Sequence, residues 1–123
     1  MTRIEWEQYI LDTYTAEADH PWQRDPDSEV FRHPASRKWF ALMMVLPRRR
    51  LGLTGEGTLT VLNLKGDPLL IGALRQEPGF FPAYHMNREH WMTVALDGTV
   101  EDSRIMALLD MSWQATAGVQ RRK

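Results

Sequence analysis

The sequence contains no cysteine, no long apolar run and no strong excess of one charge. The lack of cysteine excludes a disulfide framework, a thiolate nucleophile and cysteine-ligated zinc, and it is compatible with a reducing compartment. The longest apolar run, 39–47, is about half as long as a membrane-spanning helix must be. The opening residues, MTRIEWE, carry no apolar signal core. We therefore expect one domain over residues 1–123, located in the cytoplasm and without a membrane partner.

The net charge of −1 excludes a globally basic nucleic-acid-binding protein, but the charges are unevenly distributed along the chain. Residues 1–31 hold eight acidic side chains and only two arginines. Residues 32–50 then hold six basic side chains and no acidic one. Such segregation can build a basic face on a neutral protein. Alternatively, these cations are the solvated ends of hairpins. The two interpretations stay open on composition alone.

Helix-capping signals and apolar periodicity predict three helices. Thr2 and Glu5 form a Ser/Thr-x-x-Glu capping box before an apolar stripe of helical spacing. Asp67 followed by Pro68 is typical of an N-cap and first helical position. Thr99, with the acidic residue three positions later, is expected to cap the last helix. The predicted helices cover residues 3–17, 67–76 and 100–116.

Five β-strands are predicted between the terminal helices. The segment 39–46 is almost entirely apolar, which favours a central strand covered on at least one face. Strands grouped between terminal helices indicate an antiparallel sheet with the helices packed on one side. The predicted fold class is therefore α+β, with strands over 29–32, 39–46, 58–65, 81–86 and 91–96.

The sequence offers no recognisable catalytic motif. Gly52, Gly55 and Gly57 precede a predicted strand rather than a helix, so they indicate a hairpin turn and not a phosphate-binding loop. His85 and His90 flank a predicted turn, but no third metal ligand is evident. There is neither a Gly-x-Ser-x-Gly nucleophile motif nor a distinctive carboxylate pair. We expect a non-enzymatic protein without a cofactor or metal.

One segment combines aromatic, amide, imidazole and guanidinium groups within a few residues. This segment, residues 82–91, reads PAYHMNREHW, and we call it the hallmark segment. These groups can stack on bases and bind phosphate, and they can equally stabilise a tight turn. It includes Pro82, Tyr84, His85, Met86, Asn87, Arg88, His90 and Trp91. We expect Trp91 to be mostly buried and to hold this segment to the sheet, Arg88 and Glu89 to project at its tip, and Asn87 to bond to local backbone groups.

The hallmark segment resembles that of the MmcQ/YjbR family of small bacterial proteins. Supporting motifs follow in the expected order along nearly the whole chain: KWFA at 38–41, LKGDP at 64–68, LDG at 96–98 and LDMSW at 109–113. The resemblance implies a frataxin/CyaY-like fold, with two helices packed against an antiparallel sheet. It also implies DNA binding of the type called double-wing.

A DNA-binding interpretation assigns the basic side chains to phosphates, with weak sequence preference. The residues concerned are Arg32, Arg37, Lys38, Arg48, Arg49, Arg50, Lys65 and Arg88. An alternative is an interaction module that binds a protein or small ligand through the segment from Tyr84 to Trp91. The likeness to frataxin raises a third possibility, iron bound by acids near the first helix: Glu5, Glu7, Asp12, Glu17 and Asp19.

Overall fold

The computed structural model describes residues 1–117 of the chain. Its helices are α1 (Arg3–Tyr14), α2 (Pro68–Leu74) and α3 (Asp102–Thr116). Its strands are β1 (Glu17–Asp19), β2 (Glu29–Arg32), β3 (Trp39–Pro47), β4 (Thr58–Lys65), β5 (Phe80–Pro82) and β6 (Trp91–Ala95). A short 3-10 turn, Arg48–Leu51, follows β3.

The six described strands form one antiparallel sheet in the order β1-β2-β3-β4-β6-β5. The predicted α+β class is confirmed, and β3 lies in the interior of the sheet. Met43 and Met44, which an edge strand would expose, are both buried. None of the helices within residues 1–117 is long and apolar enough to cross a membrane.

All three helices cover one face of the sheet, which we call the helix-covered face. Residues from α1, α2 and α3 form a single apolar cluster with residues of β2, β3, β4, β5 and β6. Trp6, Phe40 and Leu109 are completely or almost completely buried there. Burial of such large apolar side chains supplies most of the stability of a small domain.

The opposite face, which we call the open face, is covered by none of the three α-helices of residues 1–117. Its apolar side chains form a second cluster, made mainly by β3 and β4 with Val30 of β2 and Ala95 of β6. Partial cover comes from Leu51 in the 3-10 turn, from Leu53 in the following loop, and from Tyr84 and Met86 of the hallmark segment. The two faces are therefore covered by different kinds of structure.

Several predicted boundaries are wrong. The first helix ends at Tyr14 and not at 17, because Thr15 adopts a left-handed conformation (φ 50°) and β1 follows. That sixth strand was not predicted, since its three residues are all exposed and lack apolar alternation. The last helix begins at Asp102, with Glu101 and not Thr99 at the N-cap position. The capping box at Thr2 and the Asp67 cap are both confirmed.

The predicted strand 81–86 is also wrong beyond Pro82. The backbone of Tyr84, which would have continued the ladder to β6, bonds instead to side chains of β4 and β6. The predicted helix over 67–76 ends at Leu74, and the strand over 91–96 ends at Ala95.

Candidate functional site

The hallmark segment crosses the open face and is tied to the sheet by two buried polar side chains. Asn63 of β4 donates from its amide to the Tyr84 carbonyl (3.0 Å), and the Tyr84 N–H donates to the Thr93 hydroxyl (3.1 Å). The Thr93 hydroxyl in turn donates to the Asn63 amide oxygen at 2.5 Å. Both side chains are fully buried. This closed network fixes the position of Tyr84, because each buried polar group has a partner.

Asn63 and Thr93 were not predicted from the sequence as residues of the site. The available signal was a polar residue inside an apolar strand, since Asn63 sits among valine and leucines in TLTVLNLK. A buried amide without a partner is costly, so its presence there indicates a specific partner. The partner itself, a backbone group of a distant loop, cannot be read from the sequence.

Beyond Tyr84 the hallmark segment is held in an unusual conformation. His85 has a positive φ of 61°, which is uncommon for a residue with a Cβ and is found where surrounding contacts impose it. Asn87 then closes the turn, as the sequence predicts, by accepting from the N–H groups of Glu89 (2.8 Å) and His90 (3.2 Å). Arg88 and Glu89 are exposed at the tip. The side chains of this segment are therefore presented from a fixed backbone.

Trp91 and Lys65 are direct neighbours on the open face. They are register partners in β6 and β4, and by strand alternation they share this face with Thr93 and Asn63. Trp91 is partly exposed and is absent from both apolar clusters. The expectation that it is mostly buried and holds the segment to the sheet is thus corrected, because the Asn63–Thr93 network does the holding.

Seven of the eight basic residues proposed from the sequence form two groups at opposite ends of β3, and the eighth, Arg88, lies in the hallmark segment. At the start of β3 lie Arg37 and Lys38, with Arg32 and Lys65 close by in the neighbouring strands; at its end lie the arginines of the 3-10 turn, Arg48–Leu51. Since a strand rises about 3.3 Å per residue, the nine residues of β3 separate the two groups by roughly 30 Å. The sheet therefore does not gather the basic residues into one patch.

Several of these cations already have partners. Arg32 pairs with Asp19 (3.3 Å) and Arg37 pairs with Glu17, both across the β1–β2 edge. The Arg48 Nε donates to the Thr54 carbonyl at 2.9 Å. Within residues 1–117, no ion pair engages any of the remaining five. These are Lys38, Arg49, Arg50, Lys65 and Arg88.

The guanidinium of Arg50 lies against the ring of Tyr84. It donates to the tyrosine hydroxyl, and its central carbon lies 5.9 Å from the ring centroid. This contact joins the 3-10 turn to the hallmark segment across the open face. A cation at the end of β3 is thereby held beside an aromatic ring of the candidate site.

The acids considered for iron binding do not converge. Glu17 and Asp19 form the ion pairs across the β1–β2 edge, and Glu7 lies 3.3 Å from Arg3. No group of three or more metal-ligating side chains that could hold an ion is found within residues 1–117. The His90 ring lies 3.9 Å from the Glu89 carboxylate, but neither His85 nor His90 belongs to such a group among these residues.

A groove of about 430 Å³ opens on the open face beside the hallmark segment. A register shift in the β2–β3 ladder helps to form it: Phe31 lies opposite Ala41 while Arg32 lies opposite Trp39, so Phe40 is an extra residue. Trp39 consequently shares a face with Leu42. The residues that line the groove are Trp22, Arg24, Asp25, Ser28, Trp39, Leu42, Met44, His85 and Met86.

The fold and this site define a class: a small α+β domain with helices on one face of an antiparallel sheet and an anchored, aromatic-rich segment on the other. The YjbR family model matches residues 11–115, and the chain belongs to the YjbR family. The MmcQ/YjbR resemblance carried by the hallmark segment is confirmed.

One curated relative matches over nearly the whole chain, and another over less than half of it. The chain is 33% identical to the uncharacterized protein YyaQ of Bacillus subtilis (strain 168), over 94% of this chain and 98% of that protein. It is 44% identical to the uncharacterized protein YjbR of Escherichia coli K12, over 43% of this chain and 46% of that protein. The names of these relatives assign no activity.

Solved structures share the fold. A crystal structure of a Pseudomonas syringae protein matches with a TM-score of 0.91 and 43% identity, covering 94% of this chain and 99% of that one. A crystal structure of a Deinococcus radiodurans protein matches with a TM-score of 0.75 and 26% identity, covering 100% of this chain and 84% of that one.

Proposed function

We propose that this chain is a non-enzymatic nucleic-acid-binding protein, which contacts phosphates with basic side chains and has weak sequence preference. The observation that carries the proposal is that five of the cations predicted to contact phosphates form neither an ion pair nor a hydrogen bond to a carbonyl group within residues 1–117: Lys38, Arg49, Arg50, Lys65 and Arg88. They come from the turn before β3, the 3-10 turn after it, β4 and the hallmark segment. Such cations can release condensed counterions on binding DNA.

The separation of the two basic groups sets the length of ligand that would contact both. Duplex DNA rises about 3.4 Å per base pair, so a span of roughly 30 Å corresponds to about nine base pairs. Shorter ligands would reach one group only. Affinity is therefore expected to increase with ligand length up to about nine base pairs and to change little beyond.

Weak sequence preference is expected because of where the proposed phosphate-contacting cations lie in the fold. The cations sit in turns and at strand ends, and α1, α2 and α3 pack with their apolar sides against the sheet. Reading of base edges in duplex DNA usually requires a helix or ribbon inserted into the major groove. Contacts from turns to phosphates fix position on the ligand and carry little sequence information.

The experiment is a salt titration of binding to a labelled 20-base-pair duplex, measured by fluorescence anisotropy. The variant Arg49→Gln/Arg88→Gln removes one cation of the 3-10 turn and one of the hallmark segment. The control Arg75→Gln/Arg104→Gln makes the same change in net charge on residues of α2's C-cap and α3. We expect the log–log salt slope to fall by about 0.9 for each lost contact in the first variant only. Absence of binding at low salt, or equal effects of the two variants, would overturn the proposal.

The groove beside Met86 favours a second candidate, an interaction module for a protein segment or small apolar ligand. Its volume of about 430 Å³ lies within the range of small-molecule sites, and most of its lining is apolar. An apolar fluorescent dye tests this candidate. The interaction module would be favoured over the nucleic-acid-binding protein if Met44→Gln abolishes dye binding and no nucleic acid competes with the dye.

A further inference from the structure

The groove on the open face has the geometry of a site for a planar ring. Trp22 and Trp39 form two of its walls, with ring centroids 5.7 Å apart and planes at 86°. Leu42 and Met44 of β3 and Met86 of the hallmark segment supply the rest of its apolar lining. Trp22 remains 38% exposed, which is unusual for so large an apolar side chain. Beside the contact between the two indoles, the groove therefore offers aromatic surface that residues 1–117 do not cover.

Two sides of the groove are held in place by contacts within the domain. On the side of Trp39, the guanidinium of Arg32 lies 5.5 Å from the ring centroid, and Arg32 is itself paired with Asp19. On the side of Met86, the Asn63–Thr93 network holds Tyr84, and His85 follows in its positive-φ conformation. A preformed site loses less conformational entropy on binding than a flexible one.

The polar groups at the groove suit an anionic ligand with a polar edge. Arg24 lines it and forms no ion pair among the described residues. The carboxylate of Asp25 also lines it, but this carboxylate already accepts from the Ser28 hydroxyl at 2.5 Å. His85 contributes an exposed imidazole. The free positive charge and the imidazole could contact the phosphate and the edge of a bound base.

We propose that this groove takes an unpaired base of a single-stranded nucleic acid, stacked on the exposed indole of Trp22 with its edge toward Trp39, and with a neighbouring phosphate at Arg24. The inference rests on the proposed function and names its preferred ligand. Aromatic surface beside cations is the arrangement by which proteins bind single strands, because every base has a face that can stack. In a duplex both faces of each base are already stacked, and withdrawing a base from the stack costs a few kcal/mol. An aliphatic ligand would use the volume of the groove but not its cation.

The test compares three labelled 12-mers of equal backbone charge per strand in low salt: oligothymidine, an abasic strand, and a duplex. Because the abasic strand keeps the phosphates and lacks the bases, it separates stacking from electrostatic binding. We expect oligothymidine to bind at least about tenfold more tightly than the abasic strand, and more tightly than the duplex.

Two substitutions at one exposed position separate the aromatic ring from simple apolar volume. Trp22→Phe keeps a ring and Trp22→Leu does not, and the exposure of this residue makes both variants compatible with folding. We expect Leu to weaken oligothymidine binding about tenfold and to leave abasic binding unchanged, while Phe retains most of the affinity. Circular dichroism confirms that each variant is folded.

The possible failures are distinguishable. Equal, salt-sensitive binding of all three ligands, unchanged by Trp22→Leu, would overturn the base site and leave the phosphate-binding proposal standing. Binding of none of them would overturn both. A bound apolar dye that oligothymidine does not displace would overturn the base site in favour of an apolar ligand.

Discussion

The two faces of the sheet differ in what covers their apolar side chains. Three helices cover one face, where Trp6 is 1% exposed. Loops cover part of the other face, where Trp22 is 38% exposed. The same strands contribute to both, since adjacent residues of a strand point to opposite sides. We infer that the helix-covered face supplies most of the stability, and that the open face is available for recognition.

The sharpest test of this comparison uses one tryptophan from each region. Trp6→Ala is expected to cost about 3–5 kcal/mol in the free energy of unfolding, because it leaves a cavity in the helix-covered cluster. Trp22→Ala is expected to cost less than about 1 kcal/mol, because this side chain is already partly hydrated. Urea unfolding followed by circular dichroism measures both values. Similar losses in the two variants would show that the faces do not divide stability in this way.

The second test concerns the network that holds the hallmark segment. Thr93→Val removes the hydroxyl and leaves the Tyr84 N–H and the Asn63 amide oxygen without that partner. We expect a loss of about 1–3 kcal/mol in stability, since these groups are buried. Thr93→Ser is the matched control, because it keeps the hydroxyl. If Thr93→Val and Thr93→Ser lose the same amount of stability, packing rather than hydrogen bonding positions the hallmark segment.

The fold could largely be predicted because its signals are local. A capping box, an Asp–Pro helix start and a continuous apolar strand each report on a few neighbouring residues. The missed strand, Glu17–Asp19, has no such signal, since all three residues are exposed at the sheet edge. It pairs with β2 through the backbone, and its two acids form ion pairs with Arg32 and Arg37.

The candidate site was harder to predict because long-range contacts create it. The sequence singled out the hallmark segment from Tyr84 to Trp91, which borders the groove. The groove also needs Trp22, from a loop predicted only as a break between elements, and Trp39, turned to the open face by the register shift. The basic residues between 32 and 50 are close together in the sequence, but the extended strand β3 lies between them and places them at opposite ends of the sheet.

A third test uses a buried carboxylate that links α1 to β2. Glu29 is 7% exposed. The groups that face it are the carboxyl of Glu7, the His20 ring at 3.7 Å and the Arg3 guanidinium at 4.0 Å. Burial and the adjacent Glu7 carboxylate raise the pKa of Glu29 to about 8. The folded protein thus retains a proton that the unfolded chain releases near its ordinary pKa.

Stability is therefore expected to fall as pH rises from about 4.5 to 8, with this group contributing at most about 1.4 kcal/mol per pH unit. Its contribution is fully present below that window and is lost above it. Glu29→Gln mimics the protonated form, so it should flatten the pH dependence and raise stability at pH 8. Urea midpoints measured at pH 5, 6.5 and 8 give the result. An unchanged slope in the Gln variant would mean that Glu29 is ionised in the folded protein.

The smallest expected effects lie at the end of the hallmark segment, where the open face should tolerate change. Arg88 is exposed at the tip without an ion pair among the described residues, so Arg88→Ala should alter stability by no more than about 0.5 kcal/mol. Trp91→Ala should cost about 1–2 kcal/mol, less than Trp6→Ala, because its ring is only partly buried beside Lys65. Thermal melting of both variants, with duplex binding measured in parallel, separates stability from recognition. A loss for Trp91→Ala as large as that for Trp6→Ala would show that the open face, too, stabilises the fold through its aromatic side chains.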